Sequence, residues 1–156
     1  MTEQQPDFTF DDIYISPFRR VRHFDDDGLP YYSPVERNLR PTRVAAIDQL
    51  VQSLTNGHAS MSAFARRLGC SPRDVSGFVR CFSGMSGEEF RQRYLQRLVD
   101  DLLRYTSLSV AQVAERSGLG CSRTLIAFTR RLYGCTPVER RRRIRKAGDE
   151  GRFALD

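Results

Sequence analysis

One pattern is written twice in this chain, and it limits the possible folds more than any other feature. The stretch "RLGCSPRDVSGFVRCFSGMSG" at residues 67–87 and the stretch "GLGCSRTLIAFTRRLYGCTP" at 118–137 share glycines, a serine and the spacing of apolar side chains. Ala65 corresponds to Ala114, Gly69 to Gly118, Val75 to Leu125, Arg80 to Arg130 and Gly84 to Gly134. The offset is 49 to 50 residues, with one residue added in the second turn. In the first copy a short helix, capped by Ser60 or Ser62, turns Phe64, Ala65 and Leu68 inward and stops at Gly69. Ser71 and Pro72 then start another helix, with proline at a position where its missing N–H is no loss. Two short helices joined by a tight glycine-bearing turn, with a small alanine at the crossing, predict a helix-turn-helix. Val75, Phe78, Val79 and Phe82 are expected to face its core, and the remaining side chains of the second helix to point outward.

Between the copies lies "GEEFRQRYLQRLVDDLLRYTS", in which Phe90, Tyr94, Leu95, Leu98, Val99, Leu102 and Leu103 recur at helical spacing. This predicts one amphipathic linker helix over about 87–105. Its roughly 18 residues would span about 27 Å, comparable with the ~34 Å between successive major-groove faces on one side of B-DNA. Ahead of the first copy, Val44, Ile47, Leu50, Val51 and Leu54 mark another core-facing helix, ended by Asn56 and Gly57.

Residues 1–40 have a different texture, with Pro6, Pro17, Pro30 and Pro34, the acidic turn "DDDGLP", and aromatics such as Phe18, Phe24, Tyr31 and Tyr32. They are expected to form an irregular arm that packs on the body, with a short hairpin around Asp27 and Gly28. The organisation is therefore an arm at 1–40, a double helix-turn-helix at 41–146 (copies at about 43–86 and 108–146), and a flexible tail at 147–156. The fold class is all-α, with about seven helices.

The formal charge of +6 is unevenly distributed, at −3 over residues 1–40, +7 over 41–141 and +2 over 142–156, and lysine occurs only at Lys146. A body rich in arginine suits a polyanionic partner, because the guanidinium offers phosphate a flat, bidentate donor fork. The acidic arm either screens that body or braces the core. No uninterrupted apolar run approaches the ~18 residues of a membrane span. The polar N-terminus is unlike a secretory signal, so a cytoplasmic protein is expected. Cys70, Cys81, Cys121 and Cys135 show no metal or redox spacing, and His23 and His58 lie far from them in sequence. They read as reduced, mostly buried thiols, and no metal or cofactor is expected. Enzyme chemistry is not expected either: there is no phosphate-cradling loop, and the pairs Glu88/Glu89 and Asp100/Asp101 read as surface carboxylates projecting about 100° apart.

With "LSVAQVAERSGL", a helix ending "TRRLYG", "CTPVERR", and the first-copy pattern "FARRLGCSPRDVSGFVRCFSGMSG", residues 43–141 resemble the C-terminal domain of AraC/XylS-type bacterial transcription regulators. The resemblance implies double-stranded DNA as partner, with each copy's second helix in the major groove. RNA polymerase or another regulator protein is a further possible partner, and no separate small-molecule sensor domain is evident. Carried over by position, the outward faces are Arg73, Ser76 and Gly77 in the first copy and Arg123, Thr124, Ile126 and Ala127 in the second. Of these, Arg73, Ser76, Arg123 and Thr124 are the base-contact candidates, and Arg80, Arg130, Arg131 and Arg141 the phosphate-contact candidates. The tail "ERRRRIRK" either touches DNA backbone or complements a helix C-terminus. Gly77 and Ala127 stand where the family often carries arginine, and Val79 and Thr129 where it often carries phenylalanine. The alternative is a degenerate helix-turn-helix protein that serves as a protein-interaction module.

Overall fold

The computed structural model describes residues 8–156, so Pro6 and Asp7 of the arm lie outside the described residues. The chain runs through α1 (Phe10–Ile13), the hairpin β1 (Arg20–Phe24) and β2 (Pro30–Pro34), then α2 (Ala45–Thr55), α3 (Met61–Leu68) and α4 (Pro72–Ser83). It continues with α5 (Gly87–Tyr105), α6 (Val110–Ser117), α7 (Ser122–Tyr133), α8 (Pro137–Ile144) and a two-residue strand β3 (Phe153–Ala154). It is a helical protein carrying one small sheet.

The linker helix α5 is the axis of the fold. Phe90, Tyr94, Leu95, Leu98, Val99, Leu102 and Leu103 are all buried, so its apolar stripe contacts other elements along its whole length. Helices α2, α4, α6 and α8 pack against it. Ser86 and Glu89 close a capping box at its N-terminus. Its C-terminus has no glycine, and Arg141 of α8 and Arg145, the C-cap of that helix, supply the missing donors. Arg141 donates to the carbonyls of Leu103 (2.9 Å) and Leu108 (2.5 Å), and Arg145 to those of Leu103, Arg104 and Thr106. The last carbonyls of a helix lack intrahelical partners, so these guanidinium groups satisfy acceptors that would otherwise be stranded.

The arm is a splint along α5. Phe10 stacks on Tyr14 and meets Phe90 and Tyr94 edge-on, Tyr14 packs 5.0 Å from Tyr94, and Phe18 packs 5.8 Å from Tyr105. Ile13, Ile15 and Phe18 are buried with the core. The Tyr14 hydroxyl donates to Asp101 at 2.8 Å. Burial pushes the Asp101 carboxyl up, against the opposing pull of Tyr14 and Arg97. Asp101 is thus a packed anchor and not a solvated surface acid, and Asp100 is likewise held, by a bidentate pair with Arg140 at 3.0 and 2.8 Å. Among the described residues the arm's one ion pair with the helical body is Asp11–Arg97 at 3.4 Å, on α5 and away from α4 and α7. This favours the brace over the electrostatic screen.

The hairpin expected around Asp27 and Gly28 is present, with Arg20 opposite Pro34 and Phe24 opposite Pro30. Asp25 shapes its turn by accepting hydrogen bonds from the amides of Asp27 and Leu29, and Gly28 takes φ +78°. The flexible tail expected at 147–156 is instead ordered. Strand β3 pairs with β1, Arg20 opposite Ala154 and Val21 opposite Phe153, in a sheet of order β2-β1-β3. Phe153 inserts between Phe18 and Tyr105, and Asp149, only 3% exposed, accepts from Arg104 at 2.7 Å and from the Lys146 amide at 2.8 Å. Aromatic packing and a half-buried ion pair, both invisible to hydropathy periodicity, hold the tail down.

Burial pushes the Asp149 carboxyl up, but the bonds from Arg104 and Lys146 outweigh it and hold it below the usual carboxylate range. A depressed folded-state value stabilises the fold at pH values above the ordinary aspartate pKa of about 3.9, and that contribution fades as acid protonates the group. Asp149→Asn is therefore expected to lower the melting temperature at pH 7, and to lower it by less as the pH falls below about 3.9. Thermal melts across this pH range check this.

Two further expectations are corrected. Val44 is the exposed N-cap of α2 and not part of its core stripe, which begins at Ile47. Of the four free cysteines only Cys135 is buried; Cys70 is half-buried, and Cys81 and Cys121 are exposed.

Candidate nucleic-acid interface

The two repeat units superpose in their local logic. Helix α3 is N-capped by Ser60, whose hydroxyl accepts from the Ala63 amide at 3.1 Å, and it ends on Gly69 at φ +72°. Helix α4 starts with a capping box in which Ser71 and Asp74 exchange hydrogen bonds, with Pro72 at the first helical position. The Ser71 amide and hydroxyl hold the Asp74 carboxyl below its usual range. In the second unit Ser109 and Gln112 form the box of α6, and Gly118 ends it at φ +84°. Gly120, at φ +90°, accommodates the extra residue of the second turn. Ala65 and Ala114 are fully buried where the paired helices cross, and Val75 and Val79 of α4 match Leu125 and Thr129 of α7 as buried positions.

The exposed faces of α4 and α7 carry the candidate contacts. Arg73 and Arg123 sit in the first turn of each helix, and Arg80 and Arg130 in the last; all four are exposed. Among the described residues none of the four has an ion pair or side-chain hydrogen bond, and the same holds for Arg131. Thr124 is exposed beside them, with its hydroxyl 3.3 Å from Cys121 Sγ. Gly77 and Ala127 leave the middle of each face low and bare.

Ser76 does not belong to this face. Its hydroxyl accepts from the Gly87 amide at 2.9 Å, and a Cβ on Gly87 would come within 3.1 Å of Ser76 Cβ, so Ser76 seats the N-terminus of α5. Its repeat partner Ile126 is also half-buried, one position beyond the core-facing residue in each helix. Arg141 is likewise removed from the contact set, because its guanidinium is turned inward onto the α5 carbonyls. Burial, more than the neighbouring Arg145, lowers its affinity for a proton. Arg140 is committed too, lying 3.8 Å from the centroid of the Tyr133 ring while it pairs with Asp100. Of the tail's arginines only Arg142 and Arg143 are exposed and without a partner among the described residues. Arg141 and Arg145 therefore serve the C-terminus of α5, and Arg140 serves Asp100 of the same helix.

Phe78 also departs from expectation. It is 45% exposed, whereas its repeat counterpart Phe128 is 6% exposed, so α4 offers an apolar side chain beside Gly77 where α7 buries one. Periodicity misassigned it because the position lies on the border of the core-facing arc.

Cys121 stands at the N-cap of α7, where the first copy has Ser71. The Thr124 hydroxyl, the Thr124 amide and then Arg123 lower its thiol pKa. It is expected to react with iodoacetamide faster than Cys81 at pH 8, and bound duplex DNA is expected to slow that reaction. Mass-spectrometric mapping of labelled peptides checks both statements.

Among the described residues no group of His, Cys, Asp and Glu side chains could hold a metal ion. No helix among them is long and apolar enough to cross a membrane.

Comparison with known proteins bears on this geometry. A family model described as a helix-turn-helix domain, of the AraC type, matches residues 64–143, which is 80 of the 156 residues. A search of curated proteins finds no match. Among solved structures, the C-terminal domain of the response regulator AraT from Geobacillus stearothermophilus is similar, with 19% identity and a TM-score of 0.56, covering 67% of this chain and 86% of that one. The C-terminal domain of the two-component response regulator yesN from Fusobacterium nucleatum gives 19% identity and 0.54, covering 64% and 96%. A transcriptional regulator with an AraC-type DNA-binding domain from Chromobacterium violaceum gives 20% and 0.50, covering 66% and 91%. With the repeated helix pairs, the central α5 and a family model matched over half its length, the chain belongs to the AraC-type helix-turn-helix family of transcription regulators.

Proposed function

We propose that this protein is a non-enzymatic, sequence-specific DNA-binding regulator that reads two adjacent major-groove segments with α4 and α7. The observation that carries the reading is the division of labour among the arginines. Arg140, Arg141 and Arg145, in and just after α8, are spent on internal carbonyls and carboxylates, while Arg73, Arg80, Arg123 and Arg130 stay unpartnered at repeat-equivalent positions of two exposed helices. Arg73 and Arg123, at the helix N-terminal ends, are suited to bases; Arg80, Arg130 and Arg131 are suited to phosphates. Phe78 adds an apolar contact for a thymine methyl, a readout that the arginine-poor centre of α4 leaves room for. The 19 residues of α5 span about 28 Å and hold the two heads apart. A cytoplasmic location accords with this role.

Selection from a random duplex pool followed by footprinting tests the proposal. Two protected segments about one helical turn apart are expected. Protection of one segment only would reject the two-headed reading. The exposed pair of Gly77 and Phe78 favours a second reading, in which this face binds a protein such as RNA polymerase or another regulator. Failure to enrich any DNA sequence would favour that alternative.

A further inference from the structure

Three arginines, Arg19, Arg37 and Arg116, line a cavity of about 160 Å³ where the arm, the side of α5 and the end of α6 meet. The cavity's apolar surface comes from half-buried Pro17 and Leu155, with Leu98 and Leu102 of α5 buried beneath them. Its size, about five water molecules' share of liquid volume, suits a small acid and not a nucleotide.

The charge in this cavity is poorly compensated. Arg37 is half-buried and commits only its Nε, to the Ser16 carbonyl at 3.0 Å. Burial, and then the charge of Arg19, both oppose protonation of Arg37. Arg19 has no side-chain partner among the described residues. The one carboxylate in the lining is Asp156, 4.0 Å from Arg116 with its side chain 85% exposed. An exposed pair at that distance is weak and leaves Arg116 free to take another anion. We propose that this pocket binds a small organic dianion, with its acid groups on Arg19, Arg37 and Arg116 and a short apolar body against Pro17 and Leu155.

The pocket also borders the contact between the two repeat units. Asn56 lies in its wall, and the adjoining Gly57 packs against the backbone of Arg116. A ligand held there would tie the arm, α5 and the second helix-turn-helix together, independently of whether α4 and α7 read DNA.

Isothermal titration of the full chain without DNA tests the site, using succinate and inorganic phosphate separately, with sodium chloride at matched ionic strength as control. Saturable one-to-one binding of at least one dianion is expected. It should weaken at least tenfold in Arg19→Gln and in Arg116→Gln, and be unchanged in Arg66→Gln, an exposed arginine of α3 outside the pocket. No binding beyond the chloride control, or equal weakening in all three variants, would overturn the proposal. Amide NMR shifts supply a readout free of mutation: changes confined to residues around 19, 37, 56 and 116 support the site, and changes spread over α4 and α7 contradict it.

Discussion

Gly118→Ala is expected to destabilise the protein by at least about 3 kcal/mol, a large share of the about 5–15 kcal/mol that holds a typical domain folded. Gly118 ends α6 at φ +84°, a left-handed conformation that costs an alanine about 1–2 kcal/mol. The larger penalty is steric. A Cβ there would lie 2.4 Å from the Gly57 carbonyl oxygen and 2.9 Å from its carbon, and both are backbone atoms that no rotamer change can move. A Cβ on Gly57 would likewise lie 2.8 Å from the Arg116 carbonyl oxygen, so at these two glycines the first and second repeat units meet backbone to backbone. Gly134 is the internal control. It ends α7 at φ +67° with nothing within 4 Å of an added Cβ, so Gly134→Ala should cost only the conformational term of about 1–2 kcal/mol. Urea unfolding of both variants checks the pair, and equal destabilisation would mean that the Gly57–Gly118 approach is not as tight as described.

Tyr94→Phe is expected to cost about 1–3 kcal/mol, although it removes one oxygen and leaves the ring in place. Tyr94 is fully buried in α5, and its hydroxyl is the point where arm, α2 and α5 are joined. It accepts from the Ile15 amide at 3.0 Å, shares a hydrogen bond with Thr55 Oγ1 at 2.5 Å, and donates to the Val51 carbonyl at 3.2 Å. Burial pushes its pKa up to about 12, so it remains a neutral donor throughout the working range. Phenylalanine would strand the Ile15 N–H in an apolar setting, since the Thr55 hydroxyl already has the Ile15 carbonyl to bond at 2.9 Å. The Tm should fall by roughly 2–12 °C for a chain of this length. Hydrogen exchange at Ile15 should rise more than exchange in α7. A uniform rise across the molecule would argue against the arm as a locally pinned brace.

The parts of the fold legible in the sequence are those with local, repeated signals. Ala65 and Ala114, Gly69 and Gly118, and the capping residues Ser71 and Ser109 specify their geometry within one or two helical turns, and α5 has an uninterrupted apolar stripe. The sheet was half legible: Asp25, Asp27 and Gly28 mark a turn, but the pairing of β1 with β3 joins residues more than 130 positions apart and rests on Phe18, Tyr105 and Phe153 meeting in space. For the candidate interface, the exposed arginines of α4 and α7 follow from helical phase. Ser76 could not be assigned by phase alone, because what it touches is the first residue of another helix. Arg141 and Arg145 carried a signal that charge counting hides: α5 stops at Tyr105 and Thr106 without a glycine, so its carbonyls needed donors from elsewhere.

The most direct test of the two-headed reading is the salt dependence of binding to duplex DNA, compared between the intact chain and the Arg80→Ala, Arg130→Ala double variant. Each phosphate contact contributes about 0.9 to the slope of log K against log salt, so losing two should flatten it by roughly 1.8. A steep slope that flattens by about this amount is the predicted result. A shallow slope, or a steep one identical in both proteins, would contradict the assignment of these two arginines to the DNA backbone.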